Sequence, residues 1–246
     1  MIEPEHRLRK YRIKNTIVFF GSTRTLPKNV ALKNLKKIEN EIKRSGSSSI
    51  KLNLHLEKAK NALKMSQYYE DACELSRKLS SWFKQLKRTD KRFVICTGGG
   101  PGIMEAANRG AQKAKERSIG LNISLPMEQY PNPYQTKDIS FEFHYFFIRK
   151  FWFFYLAKAL IIFPGGYGTF DELFELLTII QTGKSKKHMP VILYGKDYWE
   201  KVLNFSEMVK WGTIDRQDLS LFRTCDTVDD AFKYLQRELT KHYLRN

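Results

Sequence analysis

The chain has 246 residues, 42% of them hydrophobic, which suits one large domain with a real core and excludes a disordered chain. Its 43 Lys and Arg outweigh 26 Asp and Glu, a formal charge of +17 that keeps anionic partners in view. Cys73, Cys96 and Cys225 are odd in number and scattered, which excludes a disulfide framework or a cysteine metal centre and makes a reducing cytoplasm the expected setting.

The elements follow in chain order. Residues 1–14 read as a helical N-terminal extension, with no apolar signal stretch in Met1–His6. Thr16–Gly21 is a strand by its Ile-Val-Phe-Phe run, Asn29–Arg44 a basic helix, Ser45–Ser49 a loop, and Leu52–Lys87 mostly helix. Phe93–Thr97 is a strand and Gly102–Arg117 a helix. Ile119–Ser124 and Ile139–Tyr145 are strands. Phe147–Lys158 is helical, Leu160–Phe163 a strand and Thr169–Thr182 a helix. Pro190–Tyr194 is the last strand, followed by helices over Tyr198–Lys210 and Val228–Tyr243. Short apolar strands alternating with amphipathic helices predict an α/β fold, a doubly wound, Rossmann-like parallel sheet forming a single domain over residues 15–246. Phe141–Tyr155 holds ten aromatics, more than one helix face needs for its own core. Arg149, Lys150 and Lys158 bar it from being a membrane span, so it reads as a buried helix that also makes a subunit interface.

Two glycine turns carry the chemistry. In Leu160–Glu172 an apolar run stops at Pro164-Gly165-Gly166-Tyr167-Gly168-Thr169 and a helical pattern begins at once. Glycines let backbone amides approach a ligand, and a helix start offers unpaired N–H groups with partial positive charge, so the place suits a phosphate. Thr169 and Glu172 also fit a Thr-x-x-Glu capping box, which would make the glutamate purely structural. The second turn, Gly98-Gly99-Gly100-Pro101-Gly102, likewise follows a strand and precedes a helix. It is not the dinucleotide fingerprint, because the third glycine would fall at Ile103. Thr182-Gly183-Lys184-Ser185 is not a Walker A loop, because its earlier glycine would sit at Thr178.

Pro164 to Glu172 matches the PGGxGTxxE signature of the LOG ("lonely guy") family, whose members carry the older label of lysine decarboxylases. Arg149-Lys150, at the family's spacing upstream, and the GGG-x-x-G-x-M turn over Gly98–Met104 complete a resemblance that spans about residues 15–225. Glu105 replaces a glycine of the compact plant-type proteins, the Arg24–Leu63 segment is longer, and Phe146-Phe147-Ile148 replace acidic or histidine residues. The chain therefore looks like a longer bacterial branch. The resemblance implies hydrolysis of the N-glycosidic bond of AMP, or of an N6-modified (cytokinin-type) AMP, to free base and ribose 5-phosphate. In this reading Glu172 and Arg149 are catalytic, and Gly165, Gly166, Gly168, Thr169, Lys150, Gly99 and Gly100 bind substrate. Glu172 would stabilise charge on the ribose and activate water, while Arg149 orients it. Lys150 either assists or is a solvated lysine. Asp171, about 100° round the helix from Glu172, reads as a surface residue. The resemblance implies a homodimer or higher homo-oligomer and needs no metal and no cofactor. Two other classes stay open: a non-catalytic nucleotide or cofactor carrier using the same cradle, and a basic nucleic-acid-binding protein. The latter is disfavoured because the basic residues are dispersed and no nucleic-acid signature accompanies them.

Overall fold

In a computed structural model, residues 2–45, 49–86, 92–126 and 130–244 are described. The strands are β1 (Asn15–Phe20), β2 (Phe93–Thr97), β3 (Ser118–Ile123), β4 (Ser140–Phe143), β5 (Ala157–Ile162), β6 (Val191–Tyr194) and β7 (Arg223–Cys225). They form one parallel sheet in the order β4-β3-β2-β1-β5-β6-β7. The chain winds outward from β1 to β4, returns to lay β5 beside β1, then winds the other way. The strand order thus reverses between β1 and β5, the place where open α/β sheets bind ligands beyond their carboxyl ends.

The helices are α1 (Ile2–Lys10), α2 (Lys28–Ser45), α3 (Ile50–Gln85), α4 (Ile103–Lys113), α5 (Phe146–Tyr155), α6 (Tyr167–Gln181), α7 (Lys196–Val202), α8 (Phe205–Lys210) and α9 (Val228–Leu239). Alternate residues of each central strand face opposite helical layers, as the period of two requires. Ile17, Phe19, Ile161 and Phe163 pack with Leu75, Leu79 of α3, Ala107 of α4 and Leu235 of α9. Val18, Phe20, Leu160 and Ile162 pack with Leu8 of α1, Phe153 of α5, Leu173 and Leu176 of α6 and Trp199 of α7. With both faces covered, the strands read as near-continuous apolar runs. The α3–α4 crossing is close because Gly110 has no side chain; a Cβ there would lie 2.1 Å from the Cys73 carbonyl oxygen. Ser76 Oγ donates to the Ala107 carbonyl at 2.6 Å across the same contact.

Several elements differ from the sequence expectation. β7 was not anticipated, being three residues with Arg and Thr in two of the positions. The single helix expected over Tyr198–Lys210 is two, because Asn204 interrupts it and caps α8, its Oδ1 accepting the Glu207 N–H at 3.1 Å. α9 stops at Leu239 and continues as a π-helical turn, Thr240–Leu244. α5 is not a buried helix: only Trp152 and Phe153 are buried, while Phe147 is 70% and Tyr155 51% exposed. Residues 46–48 of the expected Ser45–Ser49 loop and Lys87 at the expected end of α3 lie outside the described residues. Among the described residues no helix is long and apolar enough to cross a membrane.

Candidate active site

The segment after β5 sets the site's geometry. Its helix begins earlier than the sequence suggests: Gly166 is the N-cap and Tyr167 the first residue of α6. Thr169 is therefore inside the first turn and cannot be an N-cap, which removes the capping-box reading of Thr169 and Glu172. The Thr169 N–H already donates to the Gly166 carbonyl at 2.9 Å. The amides of Tyr167 and Gly168, at the first two helical positions, have no intrahelical acceptor, and with Gly166 they form a helix start whose chemistry suits an anion. The three glycines do different work. A Cβ at Gly165 would sit 2.1 Å from Thr169 Oγ1, so that position must be bare for the turn to close. A Cβ at Gly166 or Gly168 would meet nothing within 4 Å, so their missing side chains leave room for something outside the protein.

The loop after β1 braces both glycine turns. The Ser22 N–H donates to the Pro164 carbonyl at 3.0 Å, and the Ser22 carbonyl accepts the Ile103 N–H at 3.1 Å. Between these turns and α5 lies a cavity of ≈ 580 Å³. Ser22, Thr23 and Arg24 from the end of β1 and Gly166, Tyr167, Gly168 and Thr169 from the start of α6 line it on the β1–β5 side. Gly98, Met104, Ile123 and Leu125 line it toward β2 and β3, and Phe146, Arg149 and Phe153 of α5 complete the wall. From β5 to β3 is three strand spacings, about 14 Å, along the carboxyl edge of the sheet. One end is thus polar and rich in free amides and the other apolar, the division a phosphorylated, aromatic-bearing ligand needs.

Glu172 lines the same cavity at 2% exposure. Neither of its carboxylate oxygens has a hydrogen-bond partner. Arg149 is nearest among the ion pairs, its Nη2 3.6 Å from Glu172 Oε1, too long for a hydrogen bond. Burial pushes the Glu172 carboxyl up to about 7, against the opposing pull of Arg149 and Lys150. Burial also lowers the Arg149 pKa, but a guanidinium stays charged. Its cation sits over the Phe146 ring at 5.1 Å and the Phe153 ring at 5.6 Å, which hold it in place. A buried carboxylate with no partner is costly to a fold and marks sites where charge is used.

The other expected residues are placed as follows. Gly166, Gly168 and Thr169 line the cavity with Glu172 and Arg149, whereas Gly165 does not line it and is bare because the turn closes against Thr169. Lys150 points elsewhere: its Nζ is 2.7 Å from Asp171 Oδ1 and 2.6 Å from Glu175 Oε2, on the outer face of α6. Gly99 and Gly100 do not line the cavity; Gly98 does. The Gly99 carbonyl accepts from Asn132 Nδ2 and Gln135 Nε2, and Asn132 Nδ2 also reaches the Gly100 carbonyl. These two glycines are built into a buried amide network that stiffens the turn. Sequence reasoning missed Phe146 and Phe153 as walls of the site. Their spacing from Arg149, three before and four after, would have placed them on its helix face.

Fold and site together define a doubly wound α/β protein with a cavity at its switch point, free helix-start amides on one side of it and a buried carboxylate in its wall. Residues 104–235 match the family described as possible lysine decarboxylase, and the chain belongs to that family, the LOG family of the sequence resemblance. The pyrimidine/purine nucleotide 5'-monophosphate nucleosidase of Escherichia coli K12 is 39% identical over 119 residues, covering 43% of this chain and 25% of that protein. The chain thus matches only about a quarter of the length of the curated relative. Among solved structures, an X-ray structure of the structural-genomics target TM1055 covers 91% of this chain and 99% of its own, with a TM-score of 0.51 and 17% identity. It shares the fold. A Moco carrier protein from Chlamydomonas reinhardtii aligns over 93% of this chain and 99% of its own, with a TM-score of 0.49 and 16% identity.

Proposed function

We propose that the protein hydrolyses the N-glycosidic bond of nucleoside 5′-monophosphates, AMP or an N6-modified AMP among them, to free base and ribose 5-phosphate. The carrying observation is the buried, unpartnered Glu172 carboxylate one turn and a half along the helix whose open N-terminus faces the same cavity. The printed activity of the Escherichia coli relative supports the same substrate class.

The 5′-phosphate sits on the amides of Gly166, Tyr167 and Gly168, and the base lies among Ile123, Leu125 and Phe146. The ribose then lies between them, with C1′ against Glu172. As the bond to the base breaks, its electron pair leaves with the base nitrogen and positive charge grows on C1′ and the ring oxygen. The Glu172 carboxylate stabilises that charge and takes a proton from the water that attacks C1′. The departing base takes up a proton, so water is divided between the two products. Arg149 fixes the carboxylate and keeps part of its population ionised near neutral pH. A carrier needs no such group, since an ionised carboxylate held by no hydrogen bond weakens the binding of an anion. Incubation with a panel of nucleoside monophosphates tests the reading: ribose 5-phosphate and free base accumulate. No product from any of them would leave the carrier alternative standing.

The exposed face of α5 supports a homodimer. Phe147, Phe151 and Tyr155 line a cavity of ≈ 660 Å³ with Leu176, Ile179 and Met189, and Glu175, Lys184, Lys186 and Lys187 add charged groups to its wall. A second copy laid on that face would close the back of Arg149 and Lys150. Sedimentation at micromolar concentration gives a dimer or larger species; a stable monomer removes this part of the proposal.

A further inference from the structure

At the amino-terminal edge of the parallel sheet, opposite the glycine turns that follow the strands' carboxyl ends, His188, Glu238 and His242 come together. His188 lies in the connection between α6 and β6, Glu238 in the last turn of α9, and His242 in the π-helical turn that follows. Their ligating atoms lie within 4.8 Å of one another. His188 Nε2 is 3.0 Å and His242 Nε2 3.9 Å from the same carboxylate oxygen, Glu238 Oε2. The two imidazoles are stacked, with centroids 3.6 Å apart and planes 19° from parallel. None of the three lines the Glu172 cavity.

We propose that these residues bind one divalent transition-metal ion of the zinc class, which clamps the C-terminal helix to the α6–β6 connection. Two imidazoles and one carboxylate form a donor set that suits zinc, with a fourth position open to water. Coordination places the metal at about 2.0–2.1 Å in the plane of each imidazole, so binding requires the stacked rings to turn out of parallel until both Nε2 lone pairs converge beside Glu238 Oε2. The surroundings already orient the carboxylate. Arg237 Nε donates to Glu238 Oε1 at 3.0 Å, leaving Oε2 turned to the histidines. Tyr243 Oη donates to the His188 carbonyl and so fixes the backbone of one ligand against the turn carrying another. Glu238 and His242 are four residues apart, the spacing that puts side chains on one helical face. In a chain with +17 formal charge, a cation is held here by donor geometry and not by a general field.

The full-length protein, stripped with chelator and dialysed, is titrated calorimetrically with ZnCl₂ and, in parallel, with CoCl₂ followed by visible absorption. The wild type binds one zinc per chain, and cobalt gives the d–d bands of a low-coordinate site. The variants His188→Ala, His242→Ala and Glu238→Gln each weaken zinc binding by at least ~10²-fold, given that even outer-shell changes cost 10–100-fold. All three residues are partly exposed, and circular dichroism confirms that the variants fold. A His6→Ala, His55→Ala, His144→Ala triple variant keeps wild-type affinity. No stoichiometric binding by the wild type, or binding that survives His188→Ala with His242→Ala, would overturn the proposal and leave the trio as an ion pair that pins the helix.

Discussion

Replacing Glu172 with Gln should make the protein more stable in alkaline solution, although the change removes a charge from the proposed chemistry. Burial raises the Glu172 carboxyl from 4.5 to about 7. At about 1.4 kcal/mol per tenfold change in proton affinity, ionising it in the folded protein costs about 3 kcal/mol. Because the folded-state pKa lies above the unfolded one, the neutral form's contribution to stability is complete below 4.5. It is lost as pH rises through about 7. Gln mimics the neutral acid and does not titrate, so variant and wild type match at pH 4 and diverge through that window. Above pH 8 the variant leads by about 3 kcal/mol, or roughly 6–12 °C in midpoint for a chain of this size. Thermal unfolding of both proteins at pH 4 and pH 8.5, at one fixed protein concentration, measures the difference. Equal midpoints at both pH values would mean that Glu172 ionises without penalty, and the desolvated-carboxylate reasoning would fail.

The same titration governs catalysis: kcat/KM for AMP rises with pH through about 7, since it reports the free enzyme, and a profile flat from pH 5.5 to 8.5 would exclude Glu172 as the essential base. Arg149→Ala removes the positive charge that lowers the Glu172 pKa most and should move that limb to higher pH as well as reduce the rate. Gly166→Ala and Gly168→Ala place a methyl in open space, so both should fold normally yet bind AMP at least ~10-fold more weakly by calorimetry. Unchanged AMP affinity would move the phosphate elsewhere, whereas Gly165→Ala, which collides with Thr169 Oγ1, should lose midpoint temperature even without ligand.

The alternating strands and glycine turns were legible because their signals are local: apolar runs of strand length, then glycines, then helical periodicity. Ends were less so. Thr169 looked like a cap because Thr-x-x-Glu is a capping pattern, but bare Gly166 took that position and moved Thr169 inside the helix. β7 escaped because its pairing with β6, through Ile192↔Arg223 and Leu193↔Thr224, is a property of the assembled sheet and not of its own three residues. The site was half legible. Glu172, Arg149 and the Gly165–Thr169 turn were found from the motif. The apolar wall from Ile123 and Leu125 needed the strand order, which brings the end of β3 to the same edge as β1 and β5. Lys150 could not be separated from Arg149 by sequence, since only the helix rotation sends one inward and the other to Asp171 and Glu175. His188 escaped for the simplest reason: it lies 50 residues from Glu238 in the chain.

The central claim is that the Glu172 carboxylate performs the chemistry in a site that binds a nucleoside monophosphate. Free-base release from AMP by the wild type and by Glu172→Gln, measured alongside AMP affinity by calorimetry, tests it most directly. Wild-type protein releases base, the variant loses ~10²-fold or more of that rate, and its AMP affinity stays the same or improves once the buried negative charge is gone. Base release by the variant at the wild-type rate would contradict it.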